Sequence, residues 1–272
     1  MSRETKTGDS ASAKVLLTGA SKGIGRAIAV VLKSAGYQVT GTSRHPESIR
    51  DKIEDISYIP LDLMDEASIE ECLAQAGPVD ILINNAGGSS LWPAAEGPLA
   101  KVRDLFQLDL FGPIKLIQGV LPDMLRRRRG FIINIGSMAG RFAVPYQSAY
   151  SSAKFALAGF TWSLRNEVMS FGIRVVLLDP GDIRTSIEPT LWFPPDSGFQ
   201  ADMNRFIRNR EVRMAGGSDP SVVAKKTLRI LRAKDPRPFY AAGGGAPAMA
   251  FFKRFLSDRF VEKQIKKSVG LK

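Results

Sequence analysis

Three residues between Ser137 and Lys154 have the chemistry to put a proton on an oxygen. Tyr150 and Lys154 stand four apart, so on a helix they share one face, about one turn from each other. An ammonium beside a phenol favours the phenolate, because a nearby opposite charge lowers an acid's pKa. Ser137, just after the apolar run Phe131 to Ile135, can bring a hydroxyl to the same place. Hydroxyl, phenol and ammonium together can polarise a carbonyl and protonate it. They supply no reductant, so the rest of the chain has to bind one.

The stretch Lys14 to Thr18 is a short apolar strand, followed by Thr18-Gly-Ala-Ser-Lys-Gly-Ile-Gly25 and a helical pattern over Arg26 to Ser34. Strand, glycine-rich turn and helix in that order open a dinucleotide-binding βαβ unit. Gly19, Gly23 and Gly25 let the backbone turn tightly beside a pyrophosphate. Ser21, Lys22 and Ile24 lie between them, where the helix N-terminus offers free N–H groups and a positive dipole end. The second strand, Gln38 to Thr42, ends in Thr42-Ser43-Arg44 with no acid where an NAD site would hold the ribose hydroxyls. Arg44 with Lys22 instead suits a 2′-phosphate, which points to NADP(H).

Further strands are expected at Ile56 to Pro60, Val79 to Ile83, Phe131 to Ile135, Ile173 to Asp179 and Pro238 to Ala241. Near-continuous apolar strands alternating with helices imply an α/β fold with a parallel sheet covered on both faces. Ligands in such sheets bind beyond the strands' carboxyl ends. That places Leu61-Asp62-Leu63, Asn84-Asn85-Ala86-Gly87-Gly88 and Pro180-Gly181-Asp182-Ile183-Arg184-Thr185 around the cofactor. Leu99 to Leu125 has helical periodicity, with a break expected near Gly112-Pro113, and Arg126 to Arg129 closes it as a solvated basic end.

Regularity fades from 186 to 218, where Trp192, Phe193, Phe199 and Phe206 are interleaved with Pro194-Pro195, Gly198 and Gly216-Gly217. A long irregular segment of this kind reads as a lid, and its aromatics suit a bulky apolar substrate. Beyond the catalytic unit (14–245), residues 246–272 form a basic amphipathic tail. From 248 on, seven cations (Lys253, Arg254, Arg259, Lys263, Lys266, Lys267, Lys272) against Asp258 and Glu262 leave +5. Phe252, Leu256 and Phe260 recur at helical spacing. The pattern suits a terminal helix docked on the protein with its charged face wet, or a peripheral membrane contact.

The 272 residues are 44% hydrophobic and 24% charged, as expected of a globular chain able to bury one large core. Cys72 is the sole cysteine, so no intrachain disulfide forms and a reducing, cytoplasmic setting is expected. The polar stretch 1–13 reads as a disordered leader. The net charge of +11 asks for an anionic partner, but no nucleic-acid-binding motif accompanies it and no nucleic-acid partner is expected. No cluster of metal ligands is apparent, so no metal site is expected.

As a set, Thr18-Gly-x-x-x-Gly-x-Gly25, Asn84-Asn-Ala-Gly87, Ser137, Tyr150-x-x-x-Lys154 and Pro180-Gly181 resemble the short-chain dehydrogenase/reductase family in its NADP-preferring form. The resemblance covers about Lys14 to Ala241. It implies a Rossmann-like, doubly wound, mostly parallel seven-stranded sheet, with the helical tail added. It makes Tyr150 the acid in reduction and the base in oxidation. Lys154 would bond the nicotinamide ribose and lower the pKa of Tyr150, Ser137 would orient the substrate oxygen, and Thr185 with Ile183 would hold the carboxamide. Asp109, in Leu108-Asp-Leu-Phe-Gly112, stands where the family places an asparagine that supports a proton relay behind the lysine. The resemblance also implies a homodimer or homotetramer built through the helices at 99–125 and 149–169.

The expected activity is NADP(H)-dependent interconversion of a bulky apolar ketone or aldehyde and its alcohol. One alternative is a 3-oxoacyl-carrier reductase, whose acidic carrier would suit a basic surface. Another is a non-catalytic NADPH-binding sensor or scaffold, which Asp109 favours weakly and the intact Ser137, Tyr150 and Lys154 oppose.

Overall fold

The computed structural model describes residues 13–271, so the stretch read as a leader lies outside it except for Ala13. Seven strands form one parallel sheet: β1 (Lys14–Leu17), β2 (Gln38–Ser43), β3 (Ser57–Pro60), β4 (Ile81–Asn84), then β6 (Gly130–Ile135), β7 (Ile173–Pro180) and β9 (Phe239–Ala242). Their order across the sheet is β3-β2-β1-β4-β6-β7-β9. The chain therefore starts in the middle, runs to one edge, crosses back and runs to the other. The cleft opens where the order reverses, past the carboxyl ends of β1 and β4.

The central strands β1, β4, β6 and β7 feed two cores, which is why their sequences are apolar without alternation. Val15 and Leu17 of β1 pack with Ile83, Ile133 and Leu178 against α1 (Gly23–Ser34) and α7 (Ser221–Leu231). Leu16, between them, points to the opposite face with Leu82, Ile132 and Val175. There it meets α2 (Glu66–Ala76), α4 (Gly112–Arg127) and α5 (Ser148–Val168). Each fully buried Leu or Ile in these layers contributes about 1.5–3 kcal/mol.

Two stretches differ from expectation. Leu99 to Arg127 is not broken at Gly112-Pro113; α3 (Leu99–Phe106) runs through a wide π turn over Gln107–Phe111 into α4. Pro113 has no N–H to bond back one turn, and it sits where the widened turn gives way to α4, in that helix's first turn. Segment 186–218 is also more regular than its composition suggests. It holds the short strand β8 (Thr190–Leu191), paired with β5 (Ser90–Leu91), and the helix α6 (Gln200–Ala215). Met203 and Phe206 of α6 are fully buried, so tertiary packing supports a helix of low intrinsic apolar periodicity.

The tail is two helices, α8 (Ala246–Phe252) and α9 (Asp258–Val269), divided at Leu256-Ser257. Ser257 caps α9 by accepting the Phe260 N–H. Ile265 and Val269 face inward, whereas Phe251, Phe252, Phe255 and Phe260 stay exposed. No helix among the described residues is long and apolar enough to cross a membrane.

Candidate active site

The glycine turn after β1 is built by contacts from neighbouring strands. The Thr18 hydroxyl accepts the backbone N–H groups of Asn85 and Ala86, both at 2.9 Å. The Asn85 amide donates back to the Thr18 and Gly19 carbonyls at 2.8 and 3.2 Å. Gly19 sits at φ +67, and a Cβ on Gly25 would lie 2.1 Å from the Gly19 carbonyl oxygen. Only glycine fits there, because backbone approaches backbone.

This turn is one end of a cleft of about 940 Å³. Gly19, Ser21, Lys22, Ile24 and Gly25 line that end with Arg44. Asp62, Leu63, Asn85, Ala86 and Gly87 form the adjoining wall, and Pro180, Gly181, Ile183 and Thr185 face them. Gly23 lies against the Thr185 side chain, just behind the lining. Lys22 and Arg44 are exposed at the mouth. The nearest acid in sequence after β2, Glu47, lies 3.5 Å from His45 Nδ1, and Arg44 makes no ion pair among the described residues. Backbone that admits no side chain, a helix N-terminus and two outlying cations fit a dinucleotide carrying an extra phosphate.

Ser137, Tyr150 and Lys154 line the middle of the same cleft. Ser137 leaves β6 and caps a short turn, accepting the Ala139 N–H at 3.1 Å. That turn lies hard against α5: a Cβ on Gly140 would come within 2.9 Å of the Lys154 backbone. A buried amide ladder pins α5 to the sheet. Asn84 donates to Asn134 and Asn134 to the Thr161 hydroxyl, each at 2.9 Å. The serine and the Tyr150–Lys154 face are thereby fixed relative to one another.

Asp109 does not line the cleft; it stands behind it, in the π turn. Its Oδ1 accepts the Gly88 N–H at 2.8 Å and lies 3.6 Å from the Lys154 ammonium. A Cβ on Gly87 would come within 2.6 Å of that oxygen and 3.3 Å of Lys154 Nζ, so glycine keeps the path between them open. Asp109 is fully buried and Lys154 only 6% exposed. The other carboxyl oxygen, Oδ2, has no hydrogen-bond partner among the described residues.

These charges set one another's protonation. Burial pushes the Asp109 carboxyl above the usual carboxylate range, and Lys154 and the Gly88 N–H pull it only part of the way back. Burial works to lower the Lys154 pKa, but Asp109 and Tyr150 outweigh it and the net shift is upward. For Tyr150, burial raises the pKa and Asp109 adds to this, while Lys154 and Ser137 pull it down. The net is upward. Lys154 does act in the direction expected from the sequence, but desolvation of the phenol outweighs it.

Other residues at this site carried no recognised motif. Asp179, at the end of β7, is held by Arg141 at 2.8 Å directly under the Ser137 strand end; a Cβ on Gly136 would strike it. Burial raises Asp179 to about 6 despite that partner. The Arg141 guanidinium stacks on Phe239 at 3.4 Å and sits 5.3 Å from the Trp162 ring. From the tail, Lys253 donates to the Arg141 carbonyl. Phe142, Met214, Met249, Ile265 and Val269 add apolar lining to the cleft, and Arg210 enters it from α6. The inward spacing Met203, Phe206, Arg210 was the available signal for that arginine.

Residues 13–192 match the family model described as short chain dehydrogenase. The chain belongs to this family. As a short-chain dehydrogenase it is an oxidoreductase that acts on CH–OH groups. It is 33% identical over 250 residues to a 3-ketodihydrosphingosine reductase of Bacteroides thetaiotaomicron, an alignment covering 88% of this chain and 90% of that one. A short-chain dehydrogenase from Streptomyces avermitilis superposes with a TM-score of 0.82 at 31% identity, covering 98% of each chain. One from Burkholderia cenocepacia, solved in complex with NADP, gives 0.74 at 21% identity, over 93% of this chain and 96% of that one.

Proposed function

We propose that this dehydrogenase is an NADP(H)-dependent reductase of bulky apolar ketones or aldehydes, working in reverse as an alcohol dehydrogenase. The observation that carries the reading is the convergence of Ser137, Tyr150 and Lys154 at the centre of one cleft with a glycine cradle at one end and an apolar chamber at the other. The nicotinamide cofactor, when bound, supplies or accepts the hydride. Lys22 and Arg44 would hold its 2′-phosphate, the turn from Gly19 to Gly25 its pyrophosphate, and Ile183 and Thr185 its carboxamide.

In reduction the substrate carbonyl oxygen accepts hydrogen bonds from Ser137 and Tyr150, and the Tyr150 hydroxyl proton passes to it. The phenolate left behind is stabilised by the Lys154 ammonium and reprotonated from the Lys154–Asp109 side. Asp109 is a positioning residue: it keeps Lys154 charged. With its pKa held upward, Tyr150 stays protonated at neutral pH, and alcohol oxidation, which needs the phenolate, should require more alkaline conditions. Tyr150→Phe should lower kcat by about 10²–10⁴-fold while leaving NADPH affinity within a few-fold, measured by NADPH absorbance and fluorescence titration. Unchanged turnover would refute the assignment.

A second element of the proposal concerns surfaces. Phe111, Phe155, Trp162 and Phe171 are exposed on or beside α4 and α5, where a second copy of the chain would cover them in a homodimer or homotetramer. Phe251, Phe252 and Phe255 form an exposed aromatic cluster, with centroids 5.5 and 5.6 Å apart along it, next to the basic helix α9. That pairing of apolar and cationic surface suits an anionic membrane interface.

A further inference from the structure

The inward face of α6 carries Met203 and Phe206, both fully buried, and then, one turn on, Arg210. A cation on this stripe displaces an apolar residue from a position the packing would favour. The other arginines on the helix that are engaged serve structure. Arg205 reaches Asp202 at 3.3 Å and the Gly270 carbonyl at 3.2 Å. Arg213 reaches Asp182 at 3.6 Å and the Ser268 carbonyl at 3.1 Å, tying α6 to α9. Arg210 makes no ion pair or hydrogen bond among the described residues.

It lines the cleft instead, partly buried, on the same lining as Tyr150 and beside Met214. Burial and then repulsion from Arg213 work against its charged form; Tyr150 when ionised, Asp182 and Glu211 favour it but do not make up the difference. Asp182 is already bonded to Arg213. A partly buried arginine whose N–H groups find no acceptor among the described residues, on one lining with Tyr150, is suited to an anion with two oxygens.

We propose that Arg210 is an anion-recognition point at the substrate end of the cleft, and that the substrate is an amphiphilic carbonyl compound bearing a carboxylate or phosphate. The apolar part of that substrate lies along Phe142, Met249, Ile265 and Val269. This deepens the reductase reading and rests on its placement of the reacting carbonyl at Tyr150. Two oxygens of the anion accept the guanidinium N–H groups, and the bond fixes how far along the chain the carbonyl falls. Arg210 acts on specificity, touching the substrate away from the bond that changes.

The test is calorimetric titration of the NADPH-saturated protein with octanoate, octyl phosphate and 1-octanol. At least one of the two anions should bind ten times more tightly than the neutral alcohol, with the preference weakening at high salt. Which anion binds better tells a carboxylate substrate from a phosphate. Arg210→Met should erase the preference and Arg210→Lys should keep part of it, with NADPH affinity unchanged in both. Equal binding of anions and alcohol by the unaltered protein overturns the proposal, whatever the variants do. So does a preference that survives Arg210→Met, or an NADPH affinity that falls tenfold with it. A panel of ketones run alongside separates the two readings. An Arg210-dependent anion preference without ketone turnover leaves the subsite standing and removes the reductase assignment; turnover without the preference does the reverse.

Discussion

Asp109 and Lys154 form a buried ion pair at 3.6 Å, one residue in a π turn and the other on α5, with the bare backbone of Gly87 packed beside both. A buried charge pair is held by mutual attraction against a large desolvation cost, so each partner controls the other's proton. Neither can be changed without moving the titration of Tyr150, which feels both.

Asp109→Asn keeps the shape of this pair and deletes its negative charge. Since Asp109 raises the pKa of both Tyr150 and Lys154, its neutralisation lowers both. In alcohol oxidation the base form of Tyr150 becomes available sooner, so the rising limb of the pH–rate profile should move to lower pH. In ketone reduction the fall in rate at alkaline pH should also begin earlier. Profiles of kcat in both directions check this, and limbs that stay in place would show that Asp109 is merely structural.

The proposed cofactor placement puts the 2′-phosphate at the mouth of the cleft. There Lys22 and Arg44 would offer it charge-assisted bonds of roughly 1.5–3 kcal/mol each. Arg44→Ala should weaken NADPH binding about tenfold or more, and Lys22→Ala with Arg44→Ala further still, with NADH affinity almost unchanged. Fluorescence titration of both cofactors measures the ratio. A protein that already prefers NADH would contradict the placement of the phosphate.

Asp179 makes stability depend on pH. Its pKa is about 6 in the folded chain against an ordinary 3.8. A carboxyl whose folded pKa is raised binds its proton more tightly when folded, so its contribution is greatest below pH 3.8 and is lost as pH rises toward 6. Asp179→Asn removes the titration. Relative to the variant, the unaltered protein should therefore lose on the order of 2–3 kcal/mol between pH 4 and 7. Urea unfolding across that range reads the difference, and a constant gap between the two proteins would disprove it.

The aromatic cluster on the tail predicts membrane contact. Replacing Phe251, Phe252 and Phe255 together by Ser should abolish co-sedimentation with vesicles containing anionic lipid. Turnover of a water-soluble ketone should be unaffected, because none of the three lines the cleft. Equal sedimentation of both proteins would assign the cluster to another partner.

What the sequence displayed depended on how local the physics is. The central strands were legible because burial on both faces makes them nearly uniformly apolar. The glycine turn and Tyr150-x-x-x-Lys154 were legible because fixed spacing carries their geometry. The seven-stranded parallel sheet and the family resemblance followed from them. The π turn was not, since a glycine-proline pair reads as a break, whereas the chain widens by a turn just before it and stays helical. Nor was α6 visible in segment 186–218, where two buried side chains and the docking of α9 outweigh weak periodicity. The upward pKa of Tyr150 escaped for the same reason: Lys154 is four residues away in sequence, but the desolvation that outweighs it comes from the whole surrounding wall.

The cleft is assembled from distant parts of the chain. Its cradle uses residues up to Thr185, whereas its apolar chamber needs α6 and the inward residues of α8 and α9. Residues 246–269 follow every strand of the sheet along the chain. The two parts of the cleft are thus encoded separately: the backbone that would hold a nucleotide comes with the sheet, and the apolar lining comes largely with helices added to it. Sequence change in those helices can reshape the second without touching the first.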